Sequence, residues 1–194
     1  NLVILQEILY SLYMGVVKIK DKTFETSISE SQIKQRLKEL GSQISADLKD
    51  DNPLFMAVLN GSFIFAADLL REVTIPCEVT FVKVASYEGT ASTGKVKQLI
   101  GVNQDLSGHT VVIVEDIIES GLTMRSILNE LYNRHAERVL ICTLTMKPDR
   151  LQEQLDINYV AFTIPNDFIV GYGLDYDQQG RQLKEIYKVK TDNE

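Results

Sequence analysis

Two short, wholly apolar runs, LFMAVL at 54–59 and VVIV at 111–114, each end at a polar break and pass into a helical pattern. An apolar run of that length without alternation suits a strand buried on both faces, as in a parallel sheet covered by helices. After the first run come Asn60-Gly61-Ser62, then FIFAADLLREV (63–73), predicted helical, and CEVTFVKVASY (77–87), which alternates like a strand. The second run repeats this grammar. VVIVE (111–115) leads to a polar loop, then a helix near 123–134 with Ile127, Leu128 and Leu131 as its buried stripe, then the strand RVLICTLTM (138–146). Strands alternating with helices predict an α/β fold with a mostly parallel central sheet flanked by helices.

Upstream, Ser29 and Gln32 read as a capping box, and Ile33, Leu37, Leu40, Ile44 and Leu48 recur at helical spacing, predicting one amphipathic helix over about 30–49. Residues 88–110 are rich in Gly, Ser and Thr around a short strand, KVKQLIGV. Beyond 157, YVAFTI, IVGYGL and EIYKV read as short strands that close the sheet or build a small lobe beside it. No repeat or linker divides the chain, so 14–194 is read as a single domain. Residues 1–17 are apolar, but Gln6 and Glu7 interrupt them and no basic segment precedes them. They fit neither a transmembrane span nor a secretory signal, and no membrane partner is expected. Met14 offers a natural start, which makes 1–13 an appended or upstream extension; a docking helix is the other reading.

The formal charge of −7 argues against a nucleic-acid surface, which needs a clustered basic face. It does not argue against an anionic substrate, because backbone amides and a divalent cation dominate within a site. Cys77 and Cys142 sit far apart in apolar runs and read as buried, reduced thiols. With no CxxC pair, a reducing compartment, the cytoplasm, is expected. His109 and His135 lie near neither a Cys nor a second His, so zinc chemistry has no support.

The most informative stretch is VVIVEDIIESGLT, 111–123. Strand residues run into two carboxylates, Glu115 and Asp116, and a short loop ends in Ser120-Gly121-Leu122-Thr123 at a helix start. A helix N-terminus offers unpaired N–H groups and a positive dipole end, which suit a phosphate. Gly121 lets the backbone approach closely, and the Ser120 and Thr123 hydroxyls add donors. The acid pair suits ribose hydroxyls and Mg²⁺, a hard cation that shares oxygen ligands with phosphates. On these residues alone, a solvated acidic loop with a helix cap accounts for the pattern equally well. Ligands of open α/β sheets bind at the carboxyl ends of strands, so loops 60–62, 115–123 and 147–150 are expected to face one crevice.

The stretch resembles the phosphoribosyl-pyrophosphate signature of the type I phosphoribosyltransferases. LNGSFIFAADLL (59–70), SYEGTASTGKV (86–96) and PNDFIVGYGLDYDQQGR (165–181) narrow the resemblance to the hypoxanthine-guanine phosphoribosyltransferase family, over roughly 16–190. It implies the type I fold with a small hood lobe from N- and C-terminal segments, and a homodimer or homotetramer. The implied reaction joins hypoxanthine or guanine to the ribose of phosphoribosyl pyrophosphate with Mg²⁺, through an oxocarbenium-like transition state, in purine salvage. IMP or GMP and pyrophosphate are the products.

Residue by residue, the resemblance makes Glu119 the catalytic carboxylate at the purine N7. Lys147 meets the 6-oxo group, Phe168 stacks on the base, and Ile169 offers backbone groups to the ring edge. Glu115, Asp116 and Asp175 are the implied metal residues, with Glu115 and Asp116 also on the ribose. Arg181 contacts pyrophosphate, as do the amides of Asn60 and Gly61, and Ser120 to Thr123 hold the phosphate. Segment 86–96 becomes a loop closing over the site, in which Ser86 and Tyr87 shield the reacting centre.

The chain departs from the family pattern at Asn60, where many members carry lysine, at Glu119, where aspartate is usual, and at Leu122, where some have lysine. Relatives hold a non-proline cis peptide at the position of Leu59–Asn60. Gly89 to Lys95 matches a nucleotide-binding P-loop until Val96 replaces the required Ser or Thr, and the following residues read as a strand where a P-loop opens a helix. The rivals are a xanthine or pyrimidine phosphoribosyltransferase, and a regulatory protein of the same fold that binds nucleic acid. Lys147 and DFIVGYGLDY disfavour a pyrimidine enzyme, and the acidic composition disfavours the regulator.

Overall fold

The computed structural model describes residues 15–88, 95–100 and 106–191. The extension expected at 1–13 lies outside the described residues, as does 89–94 within the expected closing loop. In chain order the elements are β1 (Val16–Ile19), β2 (Lys22–Ile28), α1 (Glu30–Asp47), β3 (Pro53–Leu59), α2 (Phe63–Glu72), β4 (Glu78–Glu88) and β5 (Lys95–Ile100). There follow β6 (Thr110–Ile118), α3 (Leu122–Asn133), β7 (Arg138–Met146), β8 (Tyr159–Thr163), β9 (Ile169–Val170) and β10 (Ile186–Val189). The chain divides into two units, Arg36–Asn166, and Asn1–Gln35 with Asp167–Glu194.

The larger unit is built on a six-stranded sheet of order β5-β4-β3-β6-β7-β8. Neighbours from β4 to β8 run parallel, and β5 pairs antiparallel with β4. The expected α/β architecture is present. In β3, Leu54, Met56 and Val58 enter a core with Ile127 and Leu131 of α3. Phe55 and Ala57, alternating to the other face, are also fully buried. Burial on both faces is why the run lacks alternation, and each such Leu or Phe contributes about 1.5–3 kcal/mol.

Helix α1 begins as expected. The Ser29 amide donates to Gln32 Oε1 at 2.9 Å and the Gln32 amide to Ser29 Oγ at 3.3 Å, a capping box. Arg36 then donates to the carbonyls of Ala161 and Val160 at 3.0 and 2.9 Å, tying α1 to β8. Among the described residues no helix is long and apolar enough to cross a membrane.

Strand β6 is longer than the pattern predicts. It runs through the acid pair to Ile118, with Ile117 opposite Thr145 and Ile118 opposite Met146. Ladder hydrogen bonds are indifferent to side-chain charge, so the loop shrinks to Glu119-Ser120-Gly121. At the end of the P-loop match the chain forms strand β5 where a P-loop would open a helix, as expected for a sequence that only mimics one. Cys142 is buried on β7, but Cys77 is exposed, which corrects the reading of both thiols as buried.

The smaller unit carries an antiparallel sheet of order β1-β2-β10-β9. The β1–β2 hairpin was not anticipated, because Lys20-Asp21-Lys22 hides a turn within a polar run. Of IVGYGL only Ile169 and Val170 are strand. Gly171, Tyr172 and Gly173 take φ of +96°, +50° and +102°, a turn conformation that favours glycine.

Candidate active site

Loops at the carboxyl ends of β3, β6 and β7 converge, as expected of a parallel sheet. The Lys147 amide donates to the Ile118 carbonyl at 3.0 Å, which keeps the start of the third loop beside the second. Between β6 and α3, Glu115, Ile118, Ser120, Gly121 and Thr123 line a cavity of about 220 Å³. Gly121 stands at the helix N-cap with φ +79°, a conformation that costs glycine little. Leu122 is half-exposed, and its amide donates weakly to Ser120 Oγ at 3.4 Å.

Successive strand residues point to opposite faces, yet the carboxyl groups of Glu115 and Asp116 stay close enough to interact. Glu115 is buried and lines the cavity. Burial, reinforced by the charge of Asp116, pushes its carboxyl well above the usual range. The carboxylate of Asp116 is directed at the first loop. A Cβ added to Gly61 would sit 1.5 Å from Asp116 Oδ2. Gly61 is therefore needed to admit that carboxylate, a reason the sequence does not display. Thr145 Oγ1 donates to the Asp116 carbonyl at 2.9 Å and fixes its backbone from β7.

The first loop opens with a cis peptide between Leu59 and Asn60, where the family pattern places it. Asn60 is exposed, Gly61 is buried, and buried Ser62 donates its hydroxyl to the Val58 carbonyl at 2.6 Å.

Lys147 is only 5% exposed, yet it carries a charge in search of a partner. Glu119 supplies it: the ammonium and carboxylate form an ion pair, with the Glu119 side chain 43% exposed. Thus the lysine and the carboxylate expected at the two edges of a purine are brought together at the rim of the loop.

Ser86 and Tyr87 lie on β4, opposite Lys97 and Val96 of β5, and their side chains lie outside the described residues. The remaining expected residues belong to the smaller unit. Phe168 exposes its ring, which leans on Phe24 at 6.2 Å and meets Tyr176 edge-on at 5.6 Å between centroids. Ile169 is buried opposite Lys188. Asp175 and Arg181 pair with each other at 2.7 Å, and Arg181 also donates to the Gly173 carbonyl at 2.8 Å. The turn thus binds these two charges to one another, a partnership their spacing did not reveal.

Sequence reading also missed segment 152–155. The amides of Gln152 and Glu153 both donate to the Ser120 carbonyl, at 3.0 and 3.3 Å. No side-chain pattern advertises a contact made through the backbone.

Carboxylates near the end of β6, a glycine-led start to α3 and a buried lysine just after β7 make an arrangement of the kind that suits a phosphorylated ligand. The model of the phosphoribosyl transferase domain family matches residues 26–177. A hypoxanthine-guanine phosphoribosyltransferase of Mycobacterium avium is 40% identical over 90% of this chain and 87% of its own length. A hypoxanthine phosphoribosyltransferase of Salmonella typhimurium is 43% identical over 86% of this chain and 96% of its own. The crystal structure of a hypoxanthine-guanine phosphoribosyltransferase from Bacillus anthracis superposes with a TM-score of 0.78 at 38% identity, covering 86% of this chain and 97% of that one. The chain belongs to the phosphoribosyltransferase family, on the branch of the hypoxanthine and hypoxanthine-guanine enzymes.

Proposed function

We propose that this enzyme of purine salvage transfers the 5-phosphoribosyl group of phosphoribosyl pyrophosphate to hypoxanthine or guanine, giving IMP or GMP and pyrophosphate. The observation that carries the choice of base is the meeting of buried Lys147 with Glu119 at the edge of the loop entering α3. An ammonium only donates hydrogen bonds, so it favours a 6-oxo group over the 6-amino group of adenine. Glu119 accepts the N7 hydrogen bond and takes the proton as the glycosidic bond forms. Ser120 to Thr123 hold the 5-phosphate, Glu115 and Asp116 the ribose hydroxyls, and the first-loop amides of Asn60 and Gly61 the pyrophosphate. The protein's contribution is positioning and electrostatics.

Mg²⁺ is proposed as the cofactor, held by Glu115 and Asp116. Among the described residues no group of three or more His, Cys, Asp or Glu forms a ready cage. An adjacent carboxylate pair still fits Mg²⁺, which is usually bound by one or two carboxylates together with substrate phosphates and water. When bound, the ion supplies countercharge for the departing pyrophosphate. A homodimer or homotetramer is part of the proposal, supported by the half-exposed Val79 and Phe81 on one face of β4. A cytoplasmic site of action is proposed as well. The nucleic-acid regulator is not favoured, since relatives matching 90% and 86% of this chain are named as phosphoribosyltransferases.

The test is direct. Incubation with phosphoribosyl pyrophosphate, Mg²⁺ and either base should release pyrophosphate and the nucleotide in equal amounts, and chelation of Mg²⁺ should stop the reaction. No nucleotide from either base would overturn the assignment.

A further inference from the structure

We propose that Arg125 and Glu153 are positioning residues that hold the Ser120-Gly121 turn in its anion-binding form, through segment 152–155. The inference rests on the reading of that loop as the 5-phosphate site, and deepens it. Three independent contacts carry it, all within the larger unit.

The first is made by backbone. The Ser120 carbonyl accepts from the amides of both Gln152 and Glu153. The Ser120–Gly121 peptide is trans, since Leu59–Asn60 is the cis bond of the described residues. In a trans peptide the C=O and N–H point in opposite directions. Capturing the Ser120 carbonyl therefore aims the Gly121 N–H away from the segment. An amide turned outward in this way can contribute to an anion-binding concavity.

The second contact is steric. A Cβ at Gly121 would lie 2.9 Å from Leu155 Cδ1 and 3.1 Å from Glu153 Cβ, so the segment closes that side of the loop. The third is ionic. Arg125, in the first turns of α3, donates from Nε to Glu153 Oε2 at 3.1 Å and from Nη2 to the Gln154 carbonyl. It latches the segment to the same helix whose N-terminus faces the phosphate.

A merely structural ion pair would affect stability and every kinetic constant alike. The proposal predicts a split. Arg125→Gln and Glu153→Gln should each raise KM for phosphoribosyl pyrophosphate roughly three- to tenfold, as a small misplacement of a binding loop does. Turnover at saturating substrate and KM for hypoxanthine should stay within about twofold. Glu153→Asp, which keeps the charge, should remain close to the parent, and the reversed pair Arg125→Glu with Glu153→Arg should recover most of the loss. The reversed pair and Glu153→Asp also serve if either glutamine variant does not fold.

Gly121→Ala separates this proposal from the reading beneath it. If Gly121→Ala raises KM for phosphoribosyl pyrophosphate while the Arg125 and Glu153 variants leave it unchanged, the loop binds phosphate but the latch does not position it. If Gly121→Ala also leaves it unchanged, the phosphate-loop reading falls and takes the proposal with it. Equal loss in turnover and in both KM values would likewise overturn the positioning role.

Discussion

The ammonium of Lys147, almost entirely buried, is held by the carboxylate of Glu119, which is half-exposed. A buried charge needs a partner, and its removal leaves the other group uncompensated. In the proposed reaction the purine takes over this relationship, its 6-oxo group on the lysine and its N7 on the glutamate.

Lys147→Met should therefore cost far more with hypoxanthine and guanine than with adenine. A site built on one hydrogen-bond pattern discriminates by roughly 10⁴-fold against an analogue that leaves its groups unpaired. The ratio of kcat/KM between hypoxanthine and adenine should fall steeply in the variant. An unaltered ratio would show that selection lies elsewhere.

Glu119→Gln removes the proton acceptor and keeps the shape. It should lower kcat by about 10²–10⁴-fold, the usual range for general acid–base catalysis, with little change in binding of phosphoribosyl pyrophosphate. Glu119→Asp should retain substantial activity. A glutamine variant that turns over within a few-fold of the parent removes Glu119 from catalysis.

Gly61→Ala tests the first loop. The added Cβ would collide with Asp116 Oδ2 at 1.5 Å, so the carboxylate or the loop must move. KM for phosphoribosyl pyrophosphate should rise by about tenfold or more, because displacement of a binding group is costly even when the fold survives. Circular dichroism should be unchanged. A parental KM would mean that Asp116 is not needed where it stands.

The two thiols should differ sharply. Burial pushes the Cys142 thiol up and hides it in β7, whereas Cys77 is exposed. Iodoacetamide should label one cysteine per native chain, Cys77 by peptide mapping, and both after denaturation in urea. Native labelling of Cys142 would contradict its place in the core.

Much of this was legible in the sequence where side-chain chemistry and backbone agree. β3 announces itself because burial on both faces excludes polar residues, and the start of α1 because Ser29 and Gln32 complete each other's hydrogen bonds. Where backbone acts against side-chain character, the pattern misleads. Glu115 and Asp116 look like a loop but lie in a ladder that runs to Ile118. The contact between Gln152, Glu153 and Ser120 is made by amides, which every residue but proline has, so LQEQL carries no mark of it. Gly61 is visible as a glycine, but its reason lies in Asp116, fifty-five positions later by their numbers.

The central claim, that the site selects 6-oxopurines for phosphoribosyl transfer, is tested most directly by steady-state kinetics of the unmodified protein on a panel of bases. With phosphoribosyl pyrophosphate and Mg²⁺ saturating, kcat/KM for hypoxanthine or guanine should exceed that for adenine and for the pyrimidines by roughly 10⁴-fold or more, since Lys147 can donate to an oxygen but leaves an amino group unpaired. Comparable turnover of adenine or of a pyrimidine, or no turnover of either 6-oxopurine, would contradict it.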